Sequence, residues 1–354
     1  MSPVKPGYTR PLDLRHGRVD MSHGSGGRAM VQLIEQIFLD AFDNPALAAR
    51  DDHAVLATPP ELALGGRLVM ATDSHVVSPL FFPGGDIGCL SVHGTVNDVA
   101  MAGARPLWLS AGFILEEGFA LADLQRIVSS MAQAAAEAGV PIVTGDTKVV
   151  QAGKGDGVFI NTTGVGVTRP GVHISGSLAR PGDAILVSGT MGDHGVAVMS
   201  VREGLRFGTS LRSDTRSLHT LVAAMLDAVQ DIHVLRDPTR GGLGATLNEI
   251  ASQSGVGMRL TESAIPVRGE VRAACELLGL DPLYVANEGK LLAICPAGQA
   301  DALLSALRAH PHGRDAAQIG TVVDDPNHFV QMTTALGGQR MVDWLAGEQL
   351  PRIC

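Results

Sequence analysis

The chain has 354 residues, of which 45% are hydrophobic, only 4% are aromatic and 43 are glycine, a composition that fits about two α/β domains. A formal net charge of −9 without any Lys/Arg-rich block argues against nucleic acid as a partner. No run of about 18 apolar residues occurs, so no membrane-spanning segment is predicted.

The N-terminus is a polar, proline-containing segment without the apolar stretch of a signal peptide, and we interpret residues 1–20 as a flexible arm. The four cysteines, Cys89, Cys275, Cys295 and Cys354, form no Cys-x-x-Cys pair. This pattern favours free thiols in a reducing cytoplasm over disulfides or a zinc site. The first three lie among apolar neighbours and are interpreted as packing residues.

The predicted elements of the first half alternate between helices and strands. A helix is predicted over 28–42 and another over 121–138, with Gly139 as its C-cap, because apolar residues recur there at helical spacing. Asn97 and Asp98 are expected to open a short helix of small residues. Strands are predicted around 54–57, 68–71, 108–114, 140–143 and 158–167.

The pattern breaks at two Arg-Pro-Gly turns, at 169–171 and 180–182, and the domain boundary is predicted there. We therefore divide the chain into the arm, a first domain over 21–170, a second α/β domain over 171–336 and a mobile tail over 337–354.

Acidic residues recur at the ends of the apolar runs of the first domain. Asp51 and Asp52 precede one run, Asp73 follows another, Asp98 follows Asn97, and Asp146 follows a third. Ligands of open α/β sheets bind beyond strand ends, and converging carboxylates suit Mg²⁺, which usually shares them with phosphates. Singly, such residues are often turn residues or helix caps; four of them in one domain favour the metal site.

Three further segments carry candidate chemistry. The Gly24–Gly27 loop lacks a preceding strand, so we interpret it as a flap whose N–H groups cover phosphates, with a plain flexible loop as the alternative. Residues 237–242, which include Arg240, form a second predicted anion cradle. Glu288, just before the apolar run 291–294, is either an exposed surface residue or a general base in a cleft.

The chain ends in Pro351-Arg352-Ile353-Cys354. A thiol on a chain end is tethered on one side only, and Pro351 stiffens the approach to it. This arrangement suits a swinging carrier of an acyl-type group. A frayed terminus that happens to end in cysteine is the alternative.

These motifs together resemble a known group of enzymes. The glycine loop, the acidic set, 145–148 and 237–242 are similar to the ATP-binding superfamily of aminoimidazole ribonucleotide synthetase. The C-terminal motif, with 23–27, 81–85 and 287–290, resembles more closely the HypE family of carbamoyl dehydratases, and the resemblance runs from about residue 20 onward. It implies an α/β (α+β) fold of two such domains, the first forming a β-barrel shared in a homodimer.

The resemblance also implies a reaction. In the HypE family a carbamoyltransferase, HypF, loads a carbamoyl group on the terminal thiol, here Cys354. ATP then phosphorylates the carbamoyl oxygen, and loss of phosphate leaves an enzyme thiocyanate. Its cyanide passes to iron on a HypC–HypD complex, for nickel–iron hydrogenase maturation.

By this resemblance the catalytic residues are Cys354, Glu288 as the base, and Lys148 as its partner or a phosphate contact. The Mg²⁺ positions are Asp52, Asp73, Asp98 and Asp146. The ATP-binding positions are Gly24, Ser25, Gly26, Gly27, Asn97, Gly145, Thr147 and Arg240.

Other functions of the same superfamily explain fewer residues. A selenophosphate synthetase is expected to carry a reactive Cys or selenocysteine, and a Lys, in the glycine loop, and residues 23–28 contain none of these. A thiamine-phosphate kinase accounts for the ATP site but gives Cys354 no role. A non-enzymatic assembly scaffold leaves the acidic residues unexplained.

Overall fold

A computed structural model describes residues 11–51, 53–204, 211–345 and 352–353. The described residues of the first domain form a four-stranded sheet in the order β1-β4-β2-β3. Only β2 and β3 run parallel to each other. Its strands are β1 (Leu68–His75), β2 (Ala104–Glu116), β3 (Ile142–Val150) and β4 (Val158–Thr168).

Helices cover one face of this sheet. Helix α2 (Ile87–Met101) packs against β1, β2 and β4, and α3 (Leu121–Ala138) packs against α2. Helix α1 covers residues 28–42, with a π-helical segment, Ile34–Leu39, between α-helical ends. The smaller elements are Met21–Gly24, Pro45–Ala48, Pro60–Ala63, Phe81–Phe82 and Gly85–Asp86.

The opposite face of the sheet is open. Alternate side chains of a strand point to opposite faces, and those of β1 that point away from α2 are exposed, with Leu68 at 59% and Met70 at 73%. Ile114 on β2 is exposed in the same way. The apolar side chains on this face are exposed to solvent, so the face is not packed into a core within one chain.

The second domain has a sheet whose central strands are buried on both faces. Within the described residues it has seven strands in the order β11-β10-β7-β9-β5-β8-β6, antiparallel except for β10 and β7. Alternate residues of β5 and β8 enter two separate apolar clusters. The strands are β5 (Asp183–Val187), β6 (Val234–Arg236), β7 (Gly257–Thr261), β8 (Leu292–Pro296), β9 (Ala317–Val323), β10 (Val330–Thr333) and β11 (Gln339–Met341).

Five helices of this domain are described, together with three short 3₁₀ turns. The helices are α4 (Asp193–Arg202), α5 (His219–Ala228), α6 (Gly242–Ser254), α7 (Gly269–Leu278) and α8 (Ala300–Ala309). The turns are Glu262–Ala264, Pro282–Tyr284 and Ala297–Gln299. No helix in the described part of the chain combines the length and apolar character needed to cross a membrane.

Most predicted elements are confirmed. The helices over 28–42 and 121–138 form at those bounds, and Gly139 ends the second with a φ of 66°. Four of the five predicted strands form. The fifth, at 54–57, is wrong, because that segment is irregular and largely exposed.

The prediction that Asn97 and Asp98 open a helix is also wrong. They lie in the last turns of α2, which begins ten residues earlier, where Asp86 accepts hydrogen bonds from the N–H groups of Gly88 and Cys89 at 2.8 and 3.1 Å. Nearly every residue of α2 is buried, so its sequence has no amphipathic period to reveal it.

Candidate active site

A group of acidic residues meets where the two domains join. Asp73 comes from β1, Asp98 from α2, Asp237 follows β6 and Glu288 precedes β8. Burial, with the charges of Asp237 and Asp73, raises the pKa of Asp98 to about 8. Burial also raises the pKa of Asp237 to about 6, with a further contribution from Asp73. Neighbouring negative charges that are removed from water disfavour one another's ionised forms, so this is a site that a cation would stabilise.

Glu288 lies at the centre of this group. Its side chain is 3% exposed, and its Oε1 has no hydrogen-bond partner among the described residues. Burial first, then the charges of Asp237, Asp214, Asp73 and Asp98, raise the pKa of Glu288 well above its ordinary value. The alternative of an exposed surface glutamate is therefore wrong.

The backbone around Glu288 is held tightly on both sides. Asn287 accepts a hydrogen bond from Gly192 N at 2.7 Å and donates one to Pro238 O at 2.9 Å. At Gly289 a Cβ atom would lie 1.9 Å from the carbonyl oxygen of Asp214, so no larger residue fits without movement of the backbone. Glu288 is thus carried on a rigid segment.

Asn97 ties α2 of the first domain to this segment. Its Nδ2 donates to the carbonyls of Arg216 at 3.0 Å and Glu288 at 3.2 Å, and its Oδ1 accepts from Leu218 N at 2.7 Å. The side chain is buried. These contacts fix Asp98, the next residue, relative to Glu288.

Two basic residues flank the acidic group. Arg240 lies close enough for its charge to lower the pKa of Asp98 against the larger effect of burial, and it also lowers the pKa of the buried His75. Lys290 Nζ is 2.9 Å from Asp214 Oδ2 and 3.7 Å from Asp193 Oδ2. The site therefore has cationic groups at its edges and carboxylates within it.

The remaining predicted residues form a second group on the first domain. Asp146 and Lys148 lie on β3, with Lys148 Nζ 2.7 Å from Asp146 Oδ2, and both side chains are more than 60% exposed. The hydrogen bond from Lys148 holds the pKa of Asp146 below its ordinary value. Thr147 between them points to the buried face. The 3₁₀ turn Met21–Gly24, at the start of the glycine loop, packs against the same strand.

Within one chain the structure does not bring these two groups together. Asp146 lies in register with Gly112, Asn161 and Ser74, on the open face of the sheet, whereas Asp73 points to the face covered by α2. Three interstrand spacings of 4.7–4.9 Å separate β1 from β3, or about 14 Å. Lys148 and Asp146 instead line an open-face groove of about 540 Å³.

Asp52 and Cys354 lie outside the described residues. The residues just before Cys354 are described, and Ile353 is buried at the junction of the domains with its carbonyl oxygen 2.7 Å from His194 Nε2. The other three thiols are free, and burial raises the pKa of each to about 11. They are therefore protonated packing residues.

Comparison with known proteins gives the family. Models of the AIR synthase related protein family match at residues 50–168, for the N-terminal domain, and 180–333, for the C-terminal domain. Carbamoyl dehydratase HypE of Cupriavidus necator is 69% identical over 351 residues, which cover 99% of each chain. The chain belongs to the HypE family.

Solved structures of HypE proteins have the same fold. A crystal structure of HypE in complex with ATP has a TM-score of 0.90 at 55% identity and covers 94% of this chain and 99% of that one. A HypE–HypF complex contains a chain with a TM-score of 0.77 at 49% identity, covering 88% and 99%. These similarities confirm the two-domain fold and the family resemblance that the motifs predict.

Two residues near the site escaped the sequence interpretation. Asp214 accepts hydrogen bonds from Lys290 Nζ and from Glu288 N, and His194 binds the tail, yet neither belongs to a recognisable motif. Asp214 lies in the described stretch 211–218, which has no helix or strand, and His194 lies on the buried helix α4. No local pattern marks them.

Proposed function

We propose that the chain is an ATP-dependent carbamoyl dehydratase, which converts a carbamoyl group on Cys354 to a thiocyanate and so provides cyanide for nickel–iron hydrogenase maturation. One observation carries this proposal. Ile353, the residue directly before Cys354, is held near the segment that carries Glu288, because His194 binds the Ile353 carbonyl and His194 and Glu288 both neighbour Asp214. The relatives named carbamoyl dehydratase and the ATP complex support it.

The reaction balances with the groups available. The carbamoyl oxygen of Cys–S–C(=O)–NH₂ attacks the γ-phosphorus of ATP and releases ADP, while one N–H proton leaves to give Cys–S–C(=NH)–OPO₃²⁻. The second proton then leaves nitrogen as the C–O bond breaks, which yields Cys–S–C≡N and phosphate. Each step requires a base beside the nitrogen, and Glu288 is the residue that we assign to it.

The donor set fits Mg²⁺. In the part of the chain that the structure describes, no three His, Cys, Asp or Glu side chains converge closely enough to bind a metal ion unaided. Mg²⁺ usually binds one or two carboxylates together with phosphate oxygens and water. Asp73 and Asp98 would supply the carboxylates. When bound, the ion would neutralise phosphate charge during transfer.

Burial is the first cause of the raised pKa of Glu288, and the charges of the neighbouring carboxylates add to it. A cation held at Asp73 and Asp98 would reduce that second contribution and so lower the pKa of Glu288 toward the range of a general base.

A homodimer would join the two groups of predicted residues. The open sheet face carries exposed Leu68, Met70 and Ile114 together with Asp146 and Lys148. A second copy on this face would cover the apolar side chains. It would also bring Asp146, Lys148 and the glycine loop of one subunit toward Asp73 and Asp98 of the other.

Mixing two inactive variants tests this arrangement. Asp98→Asn and Asp146→Asn homodimers should each lose most ATP turnover. Mixed dimers, formed by unfolding and refolding the variants together, should regain activity, because one of their two sites carries neither substitution. A mixture that stays inactive, although mixed dimers are shown to form, would contradict the shared site.

The proposed partners are a carbamoyltransferase of the HypF type, which loads Cys354, and a HypC–HypD iron complex, which takes the cyanide. The HypE–HypF complex of a relative supports the first. The free thiols support action in the cytoplasm.

Replacing the base tests the proposed reaction itself. Glu288→Gln has the shape of the protonated glutamate, so the fold and carbamoyl loading should persist. ATP-dependent dehydration should fall by about 10²–10⁴-fold, the usual contribution of a general base. Intact mass after loading and addition of ATP measures it, and a variant that dehydrates at the wild-type rate would remove Glu288 from the mechanism.

A further inference from the structure

The last described residues of the chain occupy a built binding site. We define the tail-docking site as Ser78, Asp156, His194 and Arg202, the residues whose polar atoms bind residues 352–353. The side chain of Ile353 is 3% exposed and joins the apolar core of the first domain, beside Val198 and Ala286 of the second. The site thus holds both the side chain and the backbone of the tail.

The backbone carbonyl of Arg352 receives two hydrogen bonds at this site. Ser78 N donates at 3.1 Å and Arg202 Nη2 at 2.7 Å, while Arg202 Nε donates to Ser78 O at 2.9 Å. Arg352 has a φ of 54°, a left-handed conformation that is unfavourable for a residue with a Cβ. The ion pair of its side chain with Asp156, at 2.9 Å, adds a third contact that stabilises this turn.

His194 holds the next carbonyl through a defined tautomer. The carbonyl oxygen of Ile353 can only accept, so the Nε2 atom, 2.7 Å away, carries the hydrogen. Ser213 Oγ, 2.7 Å from Nδ1, then donates to that nitrogen and accepts from Thr215 N at 3.1 Å. His194 is fully buried, which lowers its pKa and keeps the ring neutral.

This hydrogen bond is made to the residue directly before Cys354. The Ile353 carbonyl is the last main-chain carbonyl before Cys354, and only two single-bond rotations, φ and χ1 of Cys354, separate its planar peptide group from the sulfur. His194 follows Asp193, which lies near Lys290, and Lys290 and Glu288 N both bind Asp214. The donor and the proposed base are therefore parts of one connected network.

We propose that His194 is a positioning residue that fixes the carbamoylated chain end against Glu288 for the dehydration step. This inference rests on the proposed function. Loading by a transferase requires the thiol to be outside the site, so the His194 contact is absent in that step. His194 should consequently affect dehydration and leave carbamoyl loading unchanged, which a purely structural histidine would not do.

Two polar substitutions separate the roles of the two ring nitrogens. The amide nitrogen of Gln reaches about as far as Nε2 and can donate to Ile353 O, whereas that of Asn reaches only about as far as Nδ1. His93→Asn is the matched control, because His93 is also buried with a hydroxyl partner, Thr215 Oγ1 at 3.0 Å, and has no hydrogen bond to the described tail residues 352–353.

The experiment measures loading, ATP binding and dehydration on each full-length variant by intact mass and calorimetry. His194→Asn should load carbamoyl and bind ATP like the wild type but dehydrate about tenfold more slowly or worse, a barrier increase of about 1.4 kcal/mol. His194→Gln and the His93→Asn control should remain within about threefold of the wild-type rate, since neither lacks the tail contact.

Two results would overturn the positioning role while the proposed function stands. One is a His194→Asn enzyme that dehydrates at the wild-type rate. The other is a loss of loading and ATP binding together with dehydration, which would indicate a structural role. A wild-type protein that never loses water from its carbamoyl group when ATP is added would instead refute the proposed function itself.

Discussion

Removing the carboxylate of Asp98 should stabilise the unliganded protein while it abolishes turnover. Burial and its acidic neighbours raise the pKa of Asp98 from 3.8 to about 8. Between these pH values Asp98 is ionised in the unfolded chain and protonated in the folded chain. The contribution of Asp98 to the free energy of unfolding is therefore fully present below the unfolded pKa and is lost as pH rises toward 8. At pH 7 this cost reaches at most about 4 kcal/mol, from about 3.2 pKa units at 1.36 kcal/mol each.

Asn cannot ionise, so Asp98→Asn avoids that cost. In urea unfolding with a metal chelator, the variant and the wild type should have similar stability at pH 4, and the variant should become the more stable one as pH approaches 8. Excess Mg²⁺–ATP should stabilise the wild type, by about 2.7 kcal/mol at a hundred times its dissociation constant, and the variant far less. ATP turnover should be nearly lost.

The opposite stability order would refute the reasoning. If Asp98→Asn were less stable than the wild type at pH 7 in the chelator, the carboxylate would be stabilised in the folded state by a partner rather than strained by its neighbours. Wild-type ATP turnover in the variant would separately remove Asp98 from the metal site.

Two further predictions concern the scaffold of the site. Burial lowers the pKa of His93 to about 4, so the free energy of unfolding should fall by up to about 3 kcal/mol as pH falls from 6.5 to 4. His93→Gln should remove this part of the pH dependence in urea titrations, and an unchanged dependence would contradict the prediction. Gly289→Ala should lower the free energy of unfolding by about 1–3 kcal/mol or more and slow dehydration, because the new Cβ would lie 1.9 Å from Asp214 O. Gly298→Ala is the neutral control, because a Cβ there would have no atom within 4 Å. Equal unfolding midpoints for the two variants would contradict the prediction.

Local signals in the sequence were sufficient for much of the fold. Helix α3 was predictable because its apolar face repeats at helical spacing and Gly139 ends it. Helix α2 was not, because it is buried on all sides and its only clear signal is the cap at Asp86. The strand at 54–57 was predicted from apolar residues that the structure leaves largely exposed.

Site residues that stand in short motifs could be predicted from the sequence. The distances between residues that the strand order sets could not. Glu288, Asp98 and Arg240 each stand in a short motif, and the structure brings them to one place. The separation of Asp146 from Asp73 follows from the order of the four strands, which no residue pattern reveals. The contacts of Asp214 and His194 join segments far apart in sequence, so only the folded chain shows them.

The most direct test is the intact mass of the wild type and of Cys354→Ala after incubation with a HypF-type carbamoyltransferase and then ATP. The wild type should first gain the mass of one carbamoyl group and then, on addition of ATP, lose the mass of one water. Cys354→Ala should bind ATP and gain no carbamoyl mass. A Cys354→Ala protein that still gains it, or a loaded wild type that ATP leaves unchanged, would contradict the central claim.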